Sequence, residues 1–217
     1  MKHKFDLIIF DWDGTLINTI DWIAHCLQRA GEEYGFASPE PQAAKDVIGL
    51  CIDNAVSALY PTADAETQKK IVKFYSQTYA SKQLSERDFF PGVYEMLVQL
   101  KASGYQLAVA TGKTRLGLTH ALAATGAENV FDITRCADET ASKPNPKMLH
   151  EIMRHTQVTS ERTLMVGDSI HDMQMAKNAN VPSIGVVCGA NSEASLRQYD
   201  PLLCLQQPTE LLTHFLR

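Results

Sequence analysis

Phe5-Asp6-Leu7-Ile8-Ile9-Phe10-Asp11-Trp12-Asp13-Gly14-Thr15 is the stretch whose reading decides the fold. Leu7 to Phe10 form an unbroken apolar run, the pattern of a strand buried on both faces of a parallel sheet. Two acids follow at once. In extended chain, residues i and i+2 point the same way, so Asp11 and Asp13 leave the strand end on one side. Gly14 permits a sharp turn after them. The carboxyl end of a buried parallel strand is where open α/β sheets hold their ligands. Taken alone, Asp-x-Asp reads equally well as loop acids capping a helix. The buried strand before it and Gly-Thr after it favour chemistry, either as hard-cation ligands or with one carboxylate as nucleophile.

The bulk of the chain narrows the classes. Its 217 residues suffice for one large domain or a domain with an inserted module. Twenty basic against twenty-five acidic residues give a net charge of -5, and no basic block supports a nucleic-acid or membrane-surface role. The five cysteines, Cys26, Cys51, Cys136, Cys188 and Cys204, are scattered and form no C-x-x-C pair, so neither a zinc site nor a disulfide framework is expected. Reduced thiols fit a cytoplasmic protein. No stretch is long and apolar enough to serve as a signal peptide or to span a membrane.

Outward from the first strand, residues 16 to 85 read as all-helical. Helices are expected at about 19–34, 41–48, 52–60 and 63–82, broken at Gly35, Ser38-Pro39-Glu40-Pro41 and Gly49. This shift in composition marks residues 16–85 as an inserted helical unit with its own small core, and assigns 1–15 and 86–217 to an α/β core. In the remainder, strands are expected at 106–110, 130–134, 163–166, 183–187 and, at an edge, 201–205. Helices alternate with them at 91–102, 115–125, 146–155, 171–178 and 208–216. That alternation means a parallel sheet covered by helices on both faces.

The expected strand ends carry polar residues that a parallel sheet would bring to one edge: Asp11 and Asp13, Thr111-Gly112, Ser142-Lys143-Pro144, and Gly167-Asp168-Ser169 with Asp172 four residues beyond Asp168. The set suits phosphoryl transfer, in which positioning and electrostatics dominate. Thr111 and the Gly112 amide can hold phosphate oxygens, and Lys143 supplies a point charge. The carboxylates of Asp11 and Asp168, with a backbone carbonyl, form an oxygen-donor set for Mg2+, and Asp13 is counted among the metal residues. Thr111 also suits a helix cap and Asp172 a helix-dipole partner. Asp172 is otherwise a support that orients Lys143 or a metal-bound water. Lys113 reads as a rim charge and His171 as an exposed helix residue.

These motifs, in this order, resemble those of haloacid dehalogenase superfamily phosphohydrolases. Asp11-Trp12-Asp13-Gly14-Thr15 matches the first motif of that family, D-x-D-G-T. Thr111 matches the second, Lys143 the third, and Gly167-Asp168-Ser169-Ile170-His171-Asp172 the fourth, G-D-x-x-x-D. The resemblance implies a Rossmann-like core with a small helical cap inserted after the first motif. It implies hydrolysis of small phosphorylated metabolites through an aspartyl-phosphate on Asp11, with Asp13 as general acid and base and Mg2+ as cofactor. Asp13 sets the chain apart from the superfamily's dehalogenases and phosphonatases, which lack that acid. A sugar phosphomutase of the superfamily shares both acids and is the alternative. A phospho-accepting regulatory domain is a more distant one, since its acceptor lies on a middle strand. The resemblance runs to the phosphoglycolate-phosphatase-like branch, with a monomer or weak dimer expected. It places leaving-group recognition at the cap segment around Gly49, Leu50 and Cys51. That segment holds no Lys or Arg, so an apolar and loose recognition is expected, with Lys45, Lys113 and Arg115 nearby as alternative cations.

Overall fold

The structure, a computed structural model, describes residues 4–216. A six-stranded, all-parallel sheet runs in the order β3-β2-β1-β4-β5-β6. Its strands are β1 (Leu7–Phe10), β2 (Gln106–Thr111), β3 (Ile133–Cys136), β4 (Thr163–Gly167), β5 (Ser183–Val186) and β6 (Leu203–Leu205). β1 lies between β2 and β4, and all four of its side chains are buried. Ile8 and Phe10 pack into one layer beneath the sheet, and Leu7 and Ile9 into the other. That two-sided burial is why the run is continuous rather than alternating. The strand order reverses direction between β1 and β4, the topological switch point at which such sheets open a crevice.

The helices are α1 (Ile20–Glu33), α2 (Pro41–Asp46), α3 (Ile52–Leu59), α4 (Ala65–Ala80), α5 (Val93–Ala102), α6 (Arg115–Thr125), α7 (Lys147–Thr156), α8 (Ile170–Asn178), α9 (Glu193–Leu196) and α10 (Leu211–Phe215). α1 to α4 share an apolar cluster that includes Ile23, Leu27, Val56 and Ile71, joined by Ala190 from the loop after β5. Leu16 and Ile17 instead belong to the cluster beneath the sheet. The two chain crossings run side by side there. Asn18 N–H donates to the Asp88 carbonyl (2.8 Å) and Phe90 N–H to that of Leu16 (3.0 Å).

Two elements depart from the sequence expectation. The strand expected at 130–134 is Ile133–Cys136. Val130 is buried in the cluster beneath the sheet and Phe131 packs against it, and they precede the strand rather than open it. β3 is an edge strand and tolerates the half-buried Thr134 and Arg135. The short α9 was not expected. It is capped by Ser192, whose side chain accepts from Ser195 N–H. Among the described residues no helix is long and apolar enough to cross a membrane.

Candidate active site

Asp11 follows β1 directly, and its N–H extends the β1–β4 ladder to the Val166 carbonyl (2.9 Å). The chain then turns at Gly14, which sits at φ +76°. A Cβ at Gly14 would fall 2.2 Å from Asp168 Oδ2, and one at Gly189 only 2.0 Å from it. Both positions therefore require glycine for the close approach of backbone to this carboxylate. Thr15 Oγ1 donates to Asp168 Oδ1 (2.7 Å) and Ala190 N–H to Oδ2 (2.8 Å). Each oxygen of Asp168 is thus oriented by a neutral donor and keeps a further lone pair.

Lys143 is fully buried between two acids, with Nζ 2.8 Å from Asp11 Oδ1 and 2.6 Å from Asp172 Oδ1. Asp172 stands in the first turn of α8 and closes a reciprocal cap. Its Oδ2 accepts from Ser169 N–H and Ser169 Oγ, while Ser169 Oγ accepts from Asp172 N–H. A Cβ on Gly167 would meet the Asp172 carboxyl at 2.4 Å. Asp172 thus caps its own helix and pairs with Lys143.

The carboxylates of Asp11, Asp168 and Asp172 bring oxygens within 4.8 Å of one another. Three acids face one ammonium, so charge is left over. Burial, less the opposing charge of Lys143, holds the Asp11 carboxyl well above the usual range, and the charges of Asp172 and Asp168 add to the rise. Burial, then the charge of Asp172, pushes Asp168 up to about 7. Burial works against the charge of Lys143, but Asp11 and Asp172 more than offset it and keep it protonated. An undercompensated, buried, all-oxygen donor set is the environment a divalent cation suits. Asp172 is already engaged by Lys143 and Ser169, so Asp11 and Asp168 are the pair that fits such an ion.

A stability prediction follows from the sign of these shifts. Between about pH 4 and 7 the folded protein holds a proton on Asp168 that the unfolded chain has released, so stability falls as pH rises through that window. Asp11 acts in the same direction. The lowered carboxylates Asp6, Asp64, Asp88, Glu139 and Glu161 act in the opposite direction, at lower pH. In metal-free buffer the melting temperature is expected to decline from pH 4.5 to 7.5, by up to a few kcal/mol of stability. Thermal scans across that range check it.

Asp13 is not part of the acid trio. Its Oδ1 accepts from Thr19 Oγ1 (2.7 Å), and its Oδ2 pairs with Lys113 Nζ (3.0 Å). Its side chain is engaged by these two partners, while the oxygens of Asp11 and Asp168 lie close together. Lys113 is not a rim charge. It is largely buried, donates to Tyr79 OH (2.6 Å) and lies 4.4 Å from that ring's centroid. Trp12, between the two acids, points the other way and packs edge-on against Phe89 and Phe131.

Thr111 ends β2 and is buried; its Oγ1 accepts from Lys113 N–H (3.2 Å). At Gly112 a Cβ would fall 2.5 Å from the Leu50 carbonyl and 2.7 Å from that of Gly49. The backbone of the helical unit therefore rests directly on this turn. Cys51 N–H donates to Ser142 Oγ (2.8 Å), beside Lys143. His171 Nε2 lies 2.8 Å from the Asp46 carbonyl, and Asn191 Nδ2 donates to Asp46 Oδ1 (3.0 Å). A cavity of about 310 Å³ lies between the two units, with Asp11, Asp13, Thr111 and Gly112 on its floor and Gly49 and Leu50 on its wall. Cys51 meets the Ser142 loop through its backbone N–H.

The crevice thus lies at the switch point of a parallel sheet, with Gly49 and Leu50 of the helical segment closing one side. The chain belongs to the haloacid dehalogenase-like hydrolase family, whose model matches residues 8–186. It is similar to a phosphoglycolate phosphatase from Colwellia psychrerythraea, 29% identical, with 95% of each chain covered. It is likewise similar to the pyrophosphatase PpaX of Halalkalibacterium halodurans, 31% identical over 96% of both chains. A hydrolase from Pseudomonas syringae shares the fold with a TM-score of 0.87 at 21% identity, covering 96% of each chain.

Sequence reasoning missed Thr15, Thr19, Tyr79 and Ala190 as partners of the acids. Thr15 and Thr19 were within reach, since hydroxyls one turn from paired acids are natural donors. Tyr79 and Ala190 carry no local signal.

Proposed function

We propose that the protein hydrolyses small phosphomonoesters, with Mg2+ as cofactor, through a phosphoryl group carried on Asp11. The observation that supports this most is the placement of Asp11. It is buried at the cavity floor, with Lys143 and the Trp12 N–H both on Oδ1. The other carboxylate oxygen attacks phosphorus, and the bond from phosphorus to the ester oxygen breaks. Asp13, held by Thr19, protonates the departing alkoxide. Water then attacks phosphorus, Asp13 takes its proton, and the bond to Asp11 breaks to release inorganic phosphate. Thr111, the Gly112 amide and Lys143 hold the phosphoryl oxygens as charge builds on them. Mg2+, bound by Asp11 and Asp168, would supply the positive charge that lets the phosphate dianion approach two buried acids.

The experiment is a phosphate-release assay on a panel of phosphorylated metabolites with and without a chelator. Release is expected with Mg2+ and is expected to fall at least tenfold on chelation, returning when Mg2+ is restored. Unchanged release in the chelated enzyme would contradict the metal assignment, and no release from any ester would contradict the activity.

A further inference from the structure

The part of the cavity beyond Asp13 is lined mostly by apolar side chains. Its wall is made by Ile23, Leu27, Ile52 and Ala55 from the helical unit and by Leu116 from α6, with the ring of Tyr75 alongside. Tyr75 and Tyr79 stack with centroids 5.9 Å apart and planes 22° from parallel, giving a flat aromatic side. Tyr75 is half-buried, and its burial holds the phenol in its neutral, uncharged form.

A carboxylate or a second phosphate in this space would need a cation or several donors. Among the described residues Lys113 is the one lysine or arginine lining it, and two of its three ammonium donors are directed to Asp13 and Tyr79 rather than into the open space. Lys45 pairs with Asp21 (2.7 Å), and Arg115 with Glu139 (2.6 Å) and Thr134; neither lines the cavity. Ser76 donates to the Val72 carbonyl, Thr114 caps Gly117, and His120 lies exposed at the rim. Leu116, also at the rim, is 66% exposed, the highest among the exposed large apolar side chains of the described residues.

Size points the same way. A dry protein cavity of about 150 Å³ accepts a benzene ring. This pocket, partly open to solvent and about 310 Å³, has room for a phosphoryl group on the acids and a ring or a six-carbon chain beyond them. Glycolate would leave most of that wall without contacts.

We propose that the chamber receives the alcohol portion of an apolar phosphomonoester, an alkyl or aryl-alkyl phosphate of about six carbons or more, and discriminates against carboxylate-bearing esters. This rests on the phosphatase reading above and extends it to the substrate class. The test is a series of straight-chain alkyl phosphates from methyl to hexyl, together with phosphoglycolate, assayed with Mg2+. A second series, of non-hydrolysable alkylphosphonates, is titrated calorimetrically against the Mg2+-loaded protein. Each methylene that enters the chamber is expected to raise kcat/KM, and phosphonate affinity, by about fourfold. Phosphoglycolate is expected to be turned over at least tenfold less efficiently than propyl phosphate. The variants Ile52→Asn and Leu116→Asn are expected to lower the hexyl-to-methyl ratio; Leu116 is exposed enough for the fold to be kept.

Hydrolysis with a flat or falling series, phosphoglycolate equal to propyl phosphate or better, or a ratio unmoved in both variants overturns the chamber assignment and leaves the phosphatase reading intact. Phosphonate affinity that climbs with chain length while no ester is hydrolysed does the reverse.

Discussion

Asp11→Asn is expected to remove turnover, with kcat down by on the order of 10⁴-fold or more, while the protein stays folded. The amide is a poor nucleophile and cannot carry the phosphoryl group. The fold is kept because Lys143 retains Asp172 at 2.6 Å, and one member of a crowded set of buried acids has been neutralised. Burial already pushes the Asp11 carboxyl toward its neutral form, so the amide costs the folded state little. Circular dichroism and a substrate assay on the same sample check both halves. Turnover near that of the parent protein would remove Asp11 from the mechanism.

Lys143→Met is expected to damage stability and activity together. Its ammonium is the only cation the described ion pairs place against Asp11 and Asp172, and it is wholly buried. Removing one partner of a buried ionic cluster typically costs about 3–5 kcal/mol, because the charges left behind are neither solvated nor paired. Here two acids lose their cation by one change and keep only neutral donors, Ser169 on Asp172 and the Trp12 N–H on Asp11. Urea unfolding is expected to show a loss of that order at pH 7 and a smaller one at pH 5, where Asp168 and Asp11 are protonated more readily. In the folded fraction kcat is expected to drop by at least about a hundredfold, as the charge facing the phosphoryl oxygens is gone. A variant as stable as the parent at pH 7 would mean that the cluster is far less charged than its geometry implies.

How much of this was legible in the sequence depended on whether the signal was local. β1 was clear because four buried residues in a row followed by two acids can be read without knowing what covers them. The strand-end positions of Asp11, Thr111 and Asp168 follow from the same local pattern, whereas the reciprocal cap between Ser169 and Asp172, though short-range, reads from the sequence only as a helix-dipole contact. β3 was placed three residues early because Val130 and Phe131 look more strand-like than Thr134 and Arg135. Only the sheet order shows that the strand lies at an edge.

The fate of charges was the least legible. Lys113 reads as a solvent-facing lysine until Tyr79, 34 residues earlier in the chain, and Asp13 are seen to close on it. Lys45, Lys113 and Arg115 looked available to a substrate from sequence alone, and each is turned to a protein acid instead. The crossing of the two units was likewise hidden. Nothing local in Gly112 says that Leu50 and Gly49 carbonyls rest on it.

The claim on which the rest depends is that the phosphoryl group passes through Asp11. The most direct measurement is acid quenching of the Asp13→Ala protein during reaction with an activated aryl phosphate and Mg2+, followed by digestion and mass spectrometry. Without its proton acceptor, hydrolysis of the intermediate is slowed by roughly 10²–10⁴, so the acyl phosphate accumulates. The account predicts a phosphorylated peptide with the group on Asp11. An unmodified Asp11 in a protein that is still releasing the aryl alcohol would contradict it.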